Sequence, residues 1–190
     1  MKPKLLWAIL ILTLGGVVTA FILSQHPKSP LPLYGTVADF TLTDRNGQPI
    51  SLKDLKGKIW VADFIFTHCA GQCPMMSRQM SRLQKQLPSS ITLVSFTVDP
   101  NRDTPQALAD YAKSYGADSN RWFFLTGSKE TLNRVTTSFY MDPADDPNLH
   151  SVRLVLVDRR ARIRGYYDGT DDQAIQKLFS DVADSLKEPR

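Results

Sequence analysis

The chain has 190 residues, 42% hydrophobic and 22% charged, a balance that excludes a disordered protein and fits one globular domain with its own core. A formal net charge of +4, spread along the chain, is too weak to argue for a nucleic-acid partner. Two cysteines exclude a disulfide framework and leave room for one site or none.

Lys2 and Lys4 precede an uncharged apolar stretch, residues 5–23, of about the length a helix needs to cross a bilayer. Residues 1–23 are therefore expected to form an uncleaved membrane anchor, with the lysines inside and the rest of the chain exported to the periplasm or its equivalent. A cleaved signal peptide is the rival, with Val18-Thr19-Ala20 as the small-residue site. No cysteine follows the stretch to carry a lipid. Residues 24–33 contain Pro27, Pro30 and Pro32 and read as an extended tether, which leaves 34–190 as the folded domain.

Residues 39–52 alternate around Asp44-Arg45-Asn46-Gly47, a hairpin signature. An apolar strand follows at 59–66. From Pro74 onward, Met76, Met80, Leu83 and Leu87 share one helical face. A second buried strand covers 91–98. Asp103-Thr104-Pro105 opens a helix with Leu108, Tyr111, Ala112 and Tyr115 inward, and Asp103 is expected to cap it. A short strand at 122–125 and a helix from Ser128 to Phe139 come next, then an acidic loop over 141–149. Residues 152–158 and 162–167 form a second hairpin around Arg159-Arg160-Ala161, and a helix over 171–186 closes the chain.

The alternation of strands and helices predicts an α/β layer with a largely parallel centre. The placement of Cys69 and Cys73 where the first buried strand turns into a helix specifies a thioredoxin-like sandwich, with an added N-terminal hairpin and one preceding transmembrane helix. Helix N-termini favour thiolate, and thiolate is both the nucleophile and the soft-metal ligand. The site is thus read as copper or thiol redox chemistry. Four apart, the two cysteines can share one face of a helical turn, at a spacing that a bridging metal tolerates better than a disulfide does. Of the three histidines, His26 lies in the tether, and His68 points away from Cys69 if that segment is extended. His150 enters the strand whose leading loop faces the cysteine turn in a thioredoxin-like fold, where thioredoxins carry a cis-proline. An imidazole there favours metal capture over disulfide exchange. Two thiolates and an imidazole suit Cu(I), and Cu(II) is also open to the set. Zinc competes, but its structural sites usually use four protein ligands.

Phe66-Thr67-x-Cys69-x-x-x-Cys73-Pro74, then Thr97-Val98-Asp99-Pro100-x-x-Asp103-Thr104-Pro105, Trp122-x-x-Leu125-Thr126-Gly127 and His150-Ser151 together resemble the SCO/SenC family over about residues 33–169. Those proteins are membrane-anchored, thioredoxin-like copper chaperones of cytochrome c oxidase assembly. The resemblance implies that Cys69, Cys73 and His150 hold copper and that the partner is the copper-bearing subunit of the oxidase. It leaves open the alternative role found in some members, a thiol–disulfide oxidoreductase that reduces the target's cysteines with the help of a thiol reductant.

Asp99 is read either as an outer contact of the copper site or as a solvated loop residue. Asp63 lies six residues before Cys69, the spacing at which thioredoxins carry a buried acid that moves protons at the cysteine pair. Burial would raise its pKa. Met75, Met76 and Met80 are read as packing, with Met141 a weaker ligand candidate. A peroxiredoxin-type peroxidase ranks last, because that family places Thr three residues before its reactive cysteine and Thr67 stands two before Cys69. The expected protein binds and transfers copper and is not an enzyme in the strict sense.

Overall fold

A computed structural model describes residues 12, 13, 15, 16, 30–69, 71–140 and 152–188. Met1–Pro30 is one compact unit and Leu31–Arg190 another. In the first unit only Leu12, Thr13, Gly15, Gly16 and Pro30 are described, the first four of them helical. The expected anchor over 5–23 therefore lies largely outside the described residues, as do His26, Ala70, the acidic loop 141–149 and His150. Among the described residues no helix is long and apolar enough to cross a membrane.

The second unit is built on an eight-stranded sheet of order β1-β8-β7-β4-β5-β6-β2-β3. The strands are β1 (Gly35–Thr36), β2 (Thr41–Asp44), β3 (Pro49–Ser51), β4 (Ile59–Ile65), β5 (Ile91–Thr97), β6 (Trp122–Thr126), β7 (Arg153–Val157) and β8 (Arg162–Asp168). β4, β5 and β6 run parallel, and β7 lies antiparallel to β4 on its other side. Every residue of β4 and β5 is buried, so these strands are covered on both faces, as parallel strands require.

The helices are α1 (Leu52–Leu55), α2 (Gln72–Gln86), α3 (Pro105–Ser114), α4 (Lys129–Ser138) and α5 (Asp172–Lys187). The period-two alternation sorts β4 between two cores. Val61 and Ile65 face α2, α3 and α5 through Met76, Met80, Leu83, Leu108, Leu178 and Val182. Trp60, Ala62 and Phe64 face Phe40, Leu132, Val135 and Phe139. On that second face Phe64 stacks on Phe96 at 5.6 Å between centroids and meets Phe139 edge-on at 5.3 Å.

The N-terminal hairpin is β2–β3, and Gly47 takes φ +76°, the left-handed geometry its Asn-Gly turn requires. α1 has no counterpart in the sequence reading, being too short to show a helical period. Its entry is tied locally, the Ser51 amide and hydroxyl donating to Asp54 at 2.8 and 2.6 Å. Helix α2 starts at Gln72, two residues ahead of Pro74, and so takes in Cys73.

The tether's last residues belong to this unit. The buried Arg164 guanidinium donates to the carbonyls of Leu31 and Pro32 at 2.9 and 3.0 Å. The same group pairs with Asp158 at 2.8 Å and with Glu188, beyond α5, at 2.7 Å.

Candidate metal centre

β4 delivers the chain into a tight turn in which the Cys69 amide donates to the Phe66 carbonyl at 3.3 Å. The segment is therefore not extended at His68. Gly71 then stands at the N-cap of α2 with φ −113° and ψ −101°. Cys73 is the second helical residue and fully buried, whereas Cys69 precedes the cap and is half-buried. The two cysteines thus do not share a helical face, since only one of them is helical. They still meet, because the Cys73 amide donates to Cys69 Sγ at 3.4 Å.

This arrangement splits the pair. Burial raises the Cys69 thiol, but hydrogen bonds from the Cys73 amide and thiol and from the amides of Gly71 and Gln72 outweigh it and leave the group below its ordinary value. Burial drives the Cys73 thiol strongly up, the neighbouring Cys69 adds to the rise, and a backbone hydrogen bond with Phe66 opposes it. Cys69 is thus the more accessible, thiolate-prone sulfur and Cys73 the buried one whose thiol holds its proton.

Asp103 does not cap α3. Thr104 does, its hydroxyl accepting from the Ala107 amide at 3.2 Å. Asp103 is instead wholly buried beneath the cysteine turn. It accepts from the Thr67 amide at 3.2 Å on each oxygen, from the Thr67 hydroxyl at 2.6 Å and from the Thr97 hydroxyl. The Thr67 hydroxyl gives its single proton to Asp103, so in its 3.0 Å contact with His68 Nδ1 the imidazole is the donor. Sequence reasoning missed this role. The signal was a threonine two residues before Cys69 and an aspartate just before a residue that could itself cap.

Asp63 lies fully buried on the sheet face that carries α2. The parallel register places Ser95 beside it, and Ser95 donates to Asp63 Oδ1 at 2.5 Å while accepting from Trp122 Nε1 at 2.9 Å. Among the described residues Oδ2 has no hydrogen-bond partner. Burial pushes this carboxyl up to about 7, with the Ser95 hydrogen bond opposing the rise. Asp63 in turn raises Cys73 through space.

Asp99 is nearly buried and ion-paired with Arg102, while its amide donates to the Thr97 hydroxyl at 3.0 Å. It is therefore not a solvated loop residue. Met76 and Met80 are core residues, as read, but Met75 is 44% exposed and is not packing. Gly169 lets the turn after β8 close on Met76, since a Cβ there would lie 2.4 Å from Met76 Sδ. Among the described residues no cluster of three or more metal-ligating side chains occurs; His150, the third expected ligand, lies outside them.

The sequence profile described as SCO1/SenC matches residues 31–187, a span that takes in both cysteines, Asp63 and Asp103. The chain belongs to the SCO1/SenC family. This SCO1/SenC domain is similar to a SCO1/SenC family lipoprotein from Bacillus anthracis (30% identity, TM-score 0.75, 82% of this chain and 98% of the other). It is similar to BsSco, a member of the Sco family of cytochrome c oxidase assembly proteins in which a disulfide switch was identified (30%, 0.74, 85% and 100%). ScoI of Bradyrhizobium japonicum, solved with copper bound, is a further likeness (27%, 0.60, 75% and 97%). The SCO1/SenC family and its thioredoxin-like α/β architecture are therefore as the sequence motifs implied.

Proposed function

We propose that this SCO1/SenC protein is a copper metallochaperone that takes copper through Cys69, Cys73 and His150 and delivers it to the copper centre of cytochrome c oxidase. The observation that carries the reading is the cysteine pair at the mouth of α2, two sulfurs within reach of one another on a rigid frame. A soft cation suits that donor set, and an imidazole completes it. Cys69 is the sulfur an incoming ion meets first, and Cys73 closes the site from the core side. The copper-bound ScoI and the oxidase-assembly relative BsSco support the cargo and the target. Membrane attachment through residues 5–23 would hold the domain on the extracytoplasmic side. The lipoprotein relative supports such tethering, though this chain has no cysteine directly after its apolar stretch, in residues 24–33, for a lipid.

Cu(I) titration of the reduced protein, repeated with Cys69→Ala, Cys73→Ala and His150→Ala, tests the site. One equivalent of copper is expected for the native protein, with tight binding lost in either cysteine variant and weakened in the histidine variant. Undiminished affinity in a cysteine variant overturns the site.

Asp63 favours a second reading, a thiol–disulfide oxidoreductase acting on the target's cysteines. A buried acid with a free oxygen, on the face that holds the protonated Cys73, is equipped to take the proton that Cys73 must lose before it can attack a disulfide. Such exchange needs the two cysteines and an external thiol reductant but not His150, so the histidine variant separates the readings.

A further inference from the structure

Two sulfurs bind one ion well only if their mutual placement is fixed beforehand. Cys73 is fixed by α2 and by the core around it. Cys69 stands outside the helix, on a turn closed by a 3.3 Å hydrogen bond to Phe66. The strongest hold on that turn comes from 36 residues further along the chain. Asp103 accepts from both the amide and the hydroxyl of Thr67, and its second oxygen takes the Thr97 hydroxyl at the end of β5. Its own amide is held by the Asp99 carbonyl at 3.0 Å, and the next residue caps α3.

We propose that Asp103 is a positioning residue of the cysteine pair: by clasping Thr67 it holds the turn in the dithiol arrangement that is ready for a metal ion. Asp103 touches neither sulfur by any described hydrogen bond and acts through Thr67. A loosened turn must be ordered when the ion binds, which weakens binding. It also adjusts more easily to the geometry a disulfide demands, with Cβ atoms about 3.8 Å apart. The clasp therefore favours metal-ready thiols over the disulfide. The inference rests on the copper reading for one readout only, because the thiol–disulfide balance is independent of any metal.

The experiment uses the full chain in mild detergent, with Asp103→Asn, Thr67→Val, Thr67→Ser and Thr97→Val. Cu(I) affinity is read by competition with a chromophoric chelator. The thiol–disulfide balance is read against glutathione, the pair forming one S–S bond while oxidised glutathione takes up the two electrons and two protons and leaves as two thiols. Asp103→Asn exchanges one of the two accepting oxygens for an amide donor that faces the hydroxyl of Thr67 or Thr97, and a hydroxyl left without its charged acceptor is a loss that reaches about tenfold in an equilibrium constant. Asp103→Asn is expected to weaken Cu(I) binding about tenfold and to shift the glutathione balance several-fold toward the disulfide. Thr67→Val should move both in the same direction, the double variant should add little to either single one, and Thr67→Ser should behave as native. Folded Asp103→Asn protein with both quantities within about twofold of native overturns the proposal, as does a Thr97→Val effect that exceeds that of Thr67→Val. If Asp103→Asn does not fold, Thr67→Val decides by the same limits. If the native chain binds no Cu(I), the copper reading fails by itself and the glutathione arm still decides the clasp.

Discussion

Replacing Asp63 with asparagine should make the folded domain less sensitive to alkali, and the size follows from its surroundings. The carboxyl is fully buried, bonded to Ser95 through one oxygen and orphaned at the other, and it titrates near 7 instead of 3.8. Its folded-state value is raised, so the folded protein holds this proton over a range in which the unfolded chain has already released it. The stability linked to the proton is fully present below about pH 4 and is lost as pH rises through about 7. At about 1.4 kcal/mol per pH unit the whole loss is about 4 kcal/mol, of which about 2.5 kcal/mol falls between pH 5 and pH 8. Asparagine keeps the oxygen that accepts from Ser95 and cannot ionise. Urea unfolding of the reduced proteins at pH 5 and pH 8 should show native stability dropping by about 2.5 kcal/mol more than that of Asp63→Asn, since all other titrating groups are common to both. Parallel pH profiles would refute the reasoning and place Asp63 among ionised, solvated acids.

The same substitution should displace the pH dependence of thiol oxidation while leaving copper stoichiometry at one equivalent, which thiol counting beside a copper titration checks. Full oxidation of Cys69 and Cys73 should abolish tight Cu(I) binding and a reductant should restore it, because a disulfide offers no thiolate; equal affinity in both states would rule out the cysteines as ligands. Arg164→Ala removes one of the two arginines paired with the buried Asp158, Arg162 remaining, together with the partner of Glu188, and should destabilise the domain by about 2 kcal/mol in urea, with Cu(I) affinity unchanged in the folded fraction. Fractionation and protease accessibility should find the domain membrane-held and outside the cytoplasm, whereas a mature N-terminus at Phe21 would show a cleaved signal and spare only the export.

The large elements were legible because each buries a periodic face. The run over 59–66 reads as a strand covered on both sides, and Met76, Met80 and Leu83 mark the inner face of α2, both as found. The turn between them was harder. Glycine at the cap and a cysteine on each side of it do not announce where the helix begins, so the spacing allows Cys69 a helical face that it does not join. Asp103 was misread for a physical reason of the same kind. An aspartate just before a helix is usually its cap, and only the three-dimensional meeting of Thr67, Thr97 and Asp103 reveals a carboxylate turned inward. Asp63 was legible by spacing alone, while Ser95, its partner, became visible only through the strand register.

Arg164 grips the incoming chain by carbonyl oxygens alone, a feature every residue shares, including Pro32, which has no amide hydrogen to offer. The joint therefore does not depend on side-chain identity at positions 31 and 32 for its hydrogen bonds. It does depend on distance along the chain. Residues can be added or exchanged ahead of Leu31 without loosening it, but a deletion that removes Leu31 and Pro32 leaves a buried cation with two empty donors. The same guanidinium holds Glu188, so a single side chain joins the first residues of the domain to its last.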